Sequence, residues 1–264
     1  MTDGRGLYER VATPSGELDA LWHMDEGRTF FAGPLDYNGS HQHGAPVYLA
    51  GPYGPFGVRI AGGAWQSCRT AVIPAGVRHE LDIGGNPLAV LYVEPHVAGV
   101  HALTPLARET REVDGALLGR TGELSLFRAL YEDHASTRWA GDALTDLLGF
   151  ATRRASRLID PRVSRVVERL YTRYDDLTPV TRIAGSAGLS ASRFQHVFSR
   201  EVGVPFRRYR AWQRMRAAIR EIIGGRSFTA AAHTAGFSDQ AHFAHDFRRT
   251  FGAPASRSLS RVRA

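Results

Sequence analysis

Thr181-Arg-Ile-Ala-Gly-Ser-Ala-Gly-Leu-Ser190 and Thr229-Ala-Ala-Ala-His-Thr-Ala-Gly-Phe-Ser238 are two copies of one pattern. Beyond them the copy continues one residue out of step. Phe194, His196, Phe198, Arg200, Gly203 and Pro205 recur as Phe243, His245, Phe247, Arg249, Gly252 and Pro254. A repeat of this size means one supersecondary element used twice. Each copy reads as a short helix, a turn at Gly188 or Gly236, and a second helix, which is a helix-turn-helix pattern. A helix presented twice on a basic surface is the arrangement that reads double-stranded DNA.

Charge supports that reading. The chain has 264 residues, a length that favours two domains, and a formal net charge of +7. Residues 1–152 hold 11 arginines against 18 acids, and residues 153–264 hold 22 arginines against 8 acids. A polyanion-binding surface is therefore expected on the second part alone. All 33 basic residues are arginine, whose planar fork donates bidentately to phosphate and guanine. The single cysteine, Cys68, excludes an intrachain disulfide and the Cys-rich zinc sites; a lone thiol beside a strand is expected to be buried and inert. The start lacks the basic and apolar regions of a signal peptide, and no apolar run approaches the ~20 residues that cross a membrane. A cytoplasmic protein without membrane contact is expected.

Residues 1–104 read as a β-rich domain. Thr29-Phe-Phe-Ala, Val47-Tyr-Leu-Ala, Phe56-Gly-Val-Arg-Ile, Arg69-Thr-Ala-Val-Ile and Leu88-Ala-Val-Leu-Tyr-Val are short apolar runs separated by Gly/Pro punctuation. Such spacing suggests a sandwich or small barrel. Leu124, Phe127, Leu130 and Tyr131, then Leu144, Leu147 and Leu148, fall at helical spacing. Residues 105–156 are therefore expected to be a helical linker, its apolar stripes buried on the barrel or in a homodimer. A boundary is expected near Ser156–Asp160. Residues 157–264 read as all-helical. Asp160-Pro161 starts the first helix, and further helices are expected near 180–187, 191–201 behind Ser190, 206–223, 227–235, and 240–250 behind Asp239.

The second helix of each copy has two faces. Phe194, Val197 and Phe198 share one face, as do Phe243 and Phe247, and both sets should point inward. The opposite arcs carry Ser192, Gln195, His196 and Ser199 in the first copy, and Gln240, Ala241, Ala244, His245 and Arg248 in the second. Gln can bond adenine bidentately and Ala can touch a thymine methyl. Arg193, Arg200, Arg207, Arg208, Arg248 and Arg249 lie where helix ends approach phosphates. A joining helix of residues 206–223 would span roughly 27 Å, comparable with the ~34 Å between successive major-groove faces. His242, His245 and Asp246 lack a fourth ligand and are better explained by the outward face than by metal.

These residues resemble the AraC/XylS family of transcription regulators. The pattern runs through Ile183-Ala184, Gly188, Phe194, Phe198, Gly203-x-Pro205, Tyr209, Ala232, Gly236-Phe237, Phe243, Phe247 and Gly252-x-Pro254. The resemblance implies a bilobed seven-helix DNA-binding domain whose two recognition helices enter adjacent major grooves. Its DNA contacts fall on Ser192, Gln195, His196, Gln240, Ala241 and His245. Arg often stands in the family where this chain has His196 and His245.

The first part resembles the cupin-type sensor domain often joined to such readers. His41-Gln-His43 is similar to the first cupin motif and Pro74-Ala-Gly-Val-Arg-His79 to the second. Residues i and i+2 of a strand point to one side, so His41 and His43 should aim together, with His79 arriving from a facing strand. Three converging imidazoles suit a divalent transition metal such as Zn, Ni, Fe or Mn. Val47 and Tyr48 stand where cupin enzymes place a glutamate ligand, and Ile83 replaces the terminal Asn of the second motif. Tyr37, Tyr48, Trp65 and Tyr92 are candidates to line an effector pocket, and Arg59 or Arg78 to neutralise an acidic ligand.

The expected fold is therefore an α+β multidomain chain: an N-terminal cupin-like β-barrel with attached helices, followed by an all-α bilobed domain with two helix-turn-helix units. The expected function is a sequence-specific DNA-binding transcription regulator answering to a small molecule or metal in the barrel. Expected partners are double-stranded DNA, the effector, RNA polymerase and a second copy of the chain. No catalytic residue is assigned; the alternative is a metal-dependent cupin dioxygenase or isomerase with a helical appendage.

Overall fold

A computed structural model describes residues 18–97, 99–152, 159–174, 176 and 178–264. The expected first domain thus loses residues 1–17 from the description. Residues 156–158, at the expected boundary, also lie outside the described residues.

The chain begins with nine strands: β1 Ala20–Met24, β2 Arg28–Pro34, β3 Tyr37–His41, β4 Val47–Ala50, β5 Phe56–Ile60, β6 Gln66–Cys68, β7 Thr70–Ile73, β8 His79–Asp82 and β9 Pro87–Val93. Helix α1 (Val100–Leu103) leads into the hairpin β10 (Ala107–Val113) and β11 (Ala116–Gly122). Helices α2 (Ser125–Glu132) and α3 (Ala140–Thr152) follow. An eight-stranded sheet has the order β10-β11-β7-β4-β9-β2-β1-β12, where β12 is Val262–Arg263, and a four-stranded sheet has the order β3-β8-β5-β6.

The central strands of the large sheet, β7, β4, β9 and β2, are buried on both faces, which explains why they read as continuous apolar runs. Val47, Leu49, Val90 and Tyr92 point toward the small sheet and pack with Val58, Ile60 and Leu81. Tyr48, Ala50, Leu91 and Val93 point the other way, against Phe127, Leu130, Tyr131, Leu144 and Leu148 of α2 and α3. The apolar stripes of these helices are thus spent on their own sheet.

The expectation of an all-helical segment after residue 105 is corrected at its start. Residues 107–122 form the β10–β11 hairpin, turning at Asp114-Gly115, where both residues have positive φ (47° and 81°). An Asp-Gly pair is a strong two-residue hairpin signal. It is hard to see here because β10 is exposed along most of its length and lacks apolar alternation.

The remaining helices are α4 Pro161–Thr172, α5 Val180–Ser186, α6 Ala191–Val202, α7 Phe206–Ile223, α8 Phe228–Thr234, α9 Gln240–Phe251 and α10 Ser256–Leu259. Their ends follow the side-chain signals. Asp160, Ser190, Ser227 and Asp239 each accept an N-cap hydrogen bond from a first-turn backbone N–H. Gly203 (φ 87°) and Gly252 (φ 74°) close α6 and α9 in the left-handed conformation that glycine adopts without strain. The two copies of the repeat therefore fold alike, each around its own aromatic cluster: Phe194, Phe198 and Phe206 in one lobe, Phe237, Phe243 and Phe247 in the other. Helix α7 connects the lobes. After α10 the chain returns to the large sheet, where β12 pairs parallel with β1.

Candidate DNA interface and barrel site

Helices α6 and α9 each hold two aromatic rings inward and a polar arc outward. Phe194, Phe198, Phe243 and Phe247 are buried. Ser192, Arg193, Gln195, His196 and Arg200 are exposed on α6, as are Gln240, Ala241, His245, Arg248 and Arg249 on α9. The ten expected contact residues thus lie on the surface of two equivalent helices, as the 100° periodicity requires. Some arginines are already engaged. Arg200 donates to Glu201, and Arg249 lies 3.2 Å from Asp246. Such exposed pairs are worth at most about 1 kcal/mol and do not prevent a switch to phosphate. His242, which caps its own turn with Ser238 and lies 3.7 Å from Asp246, is half-buried, while His245 faces outward. The two histidines do not converge.

The three barrel histidines do converge. His41 and His79 sit on adjacent strands of the small sheet and are register partners, so His79 comes from a neighbouring strand rather than a facing one. His43 follows just after β3. The ring centroids are 4.2–4.9 Å apart, and one nitrogen from each ring falls within 4.8 Å of the other two. All three are buried. Burial holds each imidazole below its ordinary pKa, His79 at about 4, so all three are neutral near pH 7.

The hydrogen bonds fix two tautomers. Nδ1–H of His41 donates to the Gly39 carbonyl at 2.6 Å, and Nδ1–H of His79 to the Val77 carbonyl at 3.0 Å. Each Nε2 is then left with a bare lone pair, the state in which a metal-binding imidazole is held by its outer partner. His79 Nε2 and His43 Nδ1 have no hydrogen-bond partner among the described residues. Tyr92 lies 3.1 Å from His43 Nε2. The donor set fits a borderline divalent ion. With metal–nitrogen bonds of about 2.0–2.1 Å, tetrahedral ligands lie about 3.4 Å apart, so the nitrogens need close by up to about 1.4 Å.

Two of the three, His41 and His43, line a cavity of about 50 Å³ together with Tyr92, Trp22 and, from the helical part, Phe251 and Arg257. That volume holds an ion and a few waters. It is far below the roughly 300–1,000 Å³ of a drug-sized pocket.

Of the aromatic candidates, Tyr92 lines this cavity and the other three do not. Tyr48 points to the opposite face of its sheet, where its hydroxyl donates to the Leu106 and Glu123 carbonyls. Its parity follows from Leu49, which faces the cavity. Trp65 is 43 % exposed and lies with Tyr37 on the outer surface, under the Arg59 guanidinium. Arg59 itself pairs with Glu80, and Arg78 is exposed. Cys68 is buried, with its thiol pushed up to about 12 by burial.

One cluster escaped the sequence reading. Glu94, just past β9, is 1 % exposed and accepts hydrogen bonds from Tyr209, Trp212 and Gln213 of α7. Arg216 Nη1 lies 3.2 Å from its carboxylate as a charge contact. Arg216 is also buried and donates to Thr29 and to the Asp25 and Arg28 carbonyls. The signal was present: Tyr209, Trp212, Gln213 and Arg216 form an i, i+3, i+4, i+7 stripe, and an acid ends the apolar run 88–93. Without its partner strand, such a stripe reads as the solvated side of an Arg-rich helix.

A family model described as a helix-turn-helix domain matches residues 183–261. No curated protein sequence matches the chain. Among solved structures, the fold resembles apo ToxT K231A from Vibrio cholerae, with a TM-score of 0.62 and 12 % identity over 89 % of this chain and 97 % of that one. Unsaturated fatty acid-bound wild-type ToxT from Vibrio cholerae gives 0.58 and 13 %, over 90 % and 96 %. At these identities the likeness concerns the fold: a β-rich domain of two sheets followed by a helical domain. No helix among the described residues is long and apolar enough to cross a membrane.

Proposed function

We propose, on the premise that residues 183–261 form an AraC-type helix-turn-helix domain, that this chain is a sequence-specific DNA-binding transcription regulator. The observation that carries the proposal is the equivalence of α6 and α9: the same cap signals, the same aromatic seating and an outward polar arc on each. Ser192, Gln195, His196, Gln240, Ala241 and His245 read bases, while Arg193, Arg200, Arg248 and Arg249 engage phosphates. The N-terminal domain answers to an effector held at the cavity: a divalent transition metal on His41, His43 and His79, or a small molecule against Tyr92. Bound metal would supply a fixed positive charge and three ligand bonds that draw β3 and β8 together. The cavity volume favours the ion; a molecule as long as the fatty acid of ToxT needs an opened cavity. RNA polymerase and a second copy of the chain are the proposed protein partners.

Competition binding of the full chain tests the function. Against a scrambled duplex at physiological salt, a site selected from a random pool should be preferred by about 10³-fold or more. Equal affinity for every duplex would overturn it.

A further inference from the structure

The two reader helices end on the two segments that carry the histidine motifs, strand β3 and the turn before β8. At the end of α9, Gly39 N–H donates to the Gly252 carbonyl and Asn38 Nδ2 to the Phe251 carbonyl, both at 2.9 Å. A Cβ placed on Gly252 would lie 2.7 Å from His41 Nδ1, so the cap glycine sits directly against the first motif. At the end of α6, a Cβ on Gly203 would lie 3.1 Å from the Ala75 carbonyl oxygen. A Cβ on Gly76 would lie 2.8 Å from the Gly203 carbonyl oxygen. Ala75 and Gly76 belong to the second motif, which ends at His79. Gly203 and Gly252 are the same position of the repeat. The barrel therefore holds the equivalent cap of both reader helices at once.

The histidines join the two holding points. His41 Nδ1–H donates to the carbonyl of Gly39, the residue that holds Gly252. Gly76 N–H donates to the His43 carbonyl at 3.0 Å, and Gly76 is the residue against Gly203. A change in the separation of His41, His43 and His79 moves β3 relative to the Ala75-Gly76 turn, because hydrogen bonds at the α9 cap and close packing at the α6 cap leave little slack. Moving these two segments moves the caps.

We propose that the barrel is a two-point clamp on the caps of α6 and α9, and that occupancy of the histidine trio is read out as the separation and angle of the two reader helices. This rests on the reading above of the barrel as effector domain and of the helical part as DNA reader. Its consequence is a control of half-site spacing rather than of base preference. Each helix keeps its own contacts, and only their mutual geometry responds.

The experiment uses the full chain, duplexes in which the two half-sites of the selected sequence are moved apart by inserted base pairs, and zinc alone as the probe. Wild type should prefer one spacing, and zinc should shift that preference by about fivefold or more. Ala75→Leu and Gly39→Leu each place bulk under one cap and replace neither a reader residue nor a histidine; the backbone carbonyl of Gly39 that accepts from His41 is retained. Both should bind zinc and an isolated half-site as wild type does, yet show a flattened spacing preference that zinc no longer changes. Gly39→Ala, whose Cβ would lie 3.6 Å from the Gly252 carbonyl oxygen, carries the same test in milder form should either larger variant fail to fold. Spacing preference and zinc response that survive in all the variants overturn the clamp alone. A wild-type protein without any sequence preference overturns the clamp together with the reading on which it rests.

Discussion

Glu94 and Arg216 face each other at 3.2 Å across the seam between the β domain and α7, and both are almost wholly buried. Removing two charges from water costs several kcal/mol each, recovered only when every remaining polar atom is matched. Tyr209, Trp212 and Gln213 supply that matching for the carboxylate, and Thr29 with two carbonyls for Nε and Nη2 of the guanidinium, while Nη1 makes only the charge contact with Glu94. Burial and the adjacent carboxylate also push the Tyr209 hydroxyl well above its ordinary pKa, so it stays a donor. The seam is therefore specific in register and sensitive to the loss of either charge.

Glu94→Gln leaves the Arg216 charge buried without its counter-ion. We expect a loss of about 3–5 kcal/mol in urea unfolding of the full chain. An unchanged midpoint would show that the seam contributes nothing to folding.

Ser190→Ala removes the N-cap acceptor of α6. The expected cost is about 1 kcal/mol, with the helix still formed by its aromatic seating. Thermal unfolding reads the stability, and circular dichroism the helix content. A variant as stable as wild type would remove the cap from the account of how α6 begins.

Asp160, the N-cap of α4, is held at about 2 by its hydrogen bonds with the Arg162 side chain and backbone. A folded pKa below the unfolded value of about 3.9 means the contribution is complete above pH 4 and is lost as pH falls toward 2. In Asp160→Asn that segment of the stability–pH curve should be shallower. An identical curve would contradict the assignment.

Cys68 should not react with a thiol reagent at pH 8 while the protein is folded, because burial holds its thiol near 12. Mixing with and without denaturant distinguishes the two states. Rapid reaction of the native chain would reopen a redox role.

His41→Ala and His79→Ala should each abolish stoichiometric zinc binding, measured on protein purified without chelator or affinity metal. Both should leave the affinity of the metal-free chain for DNA near wild type. Retained stoichiometric zinc in both variants would move the metal elsewhere.

Much of the helical part was legible because its signals are local. Asp160, Ser190 and Asp239 mark helix starts, Gly203 and Gly252 mark ends, and the two phenylalanine pairs give the inward faces; each lies within one or two turns of what it determines. The histidine trio was legible through its two short motifs; strand parity does not aim it, since His43 lies past the end of β3 and His79 comes from the neighbouring strand. What was hidden depends on long-range pairing. The β10 strand carries no apolar alternation because it is exposed, so the Asp114-Gly115 turn was outweighed by the helical spacing that follows it. Tyr48 was assigned to the cavity because a strand buried on both faces does not reveal which parity points inward. Glu94 and Arg216 are 122 residues apart, and neither has meaning without the other.

The central claim is that α6 and α9 both read DNA, and positional footprinting of the full chain on its selected duplex tests it most directly. The account predicts two protected segments whose centres lie about 10–10.5 base pairs apart. It also predicts that His196→Ala relaxes base preference in one segment and His245→Ala in the other. A single protected segment, or protection spread evenly along every duplex and unaffected by either substitution, would contradict it.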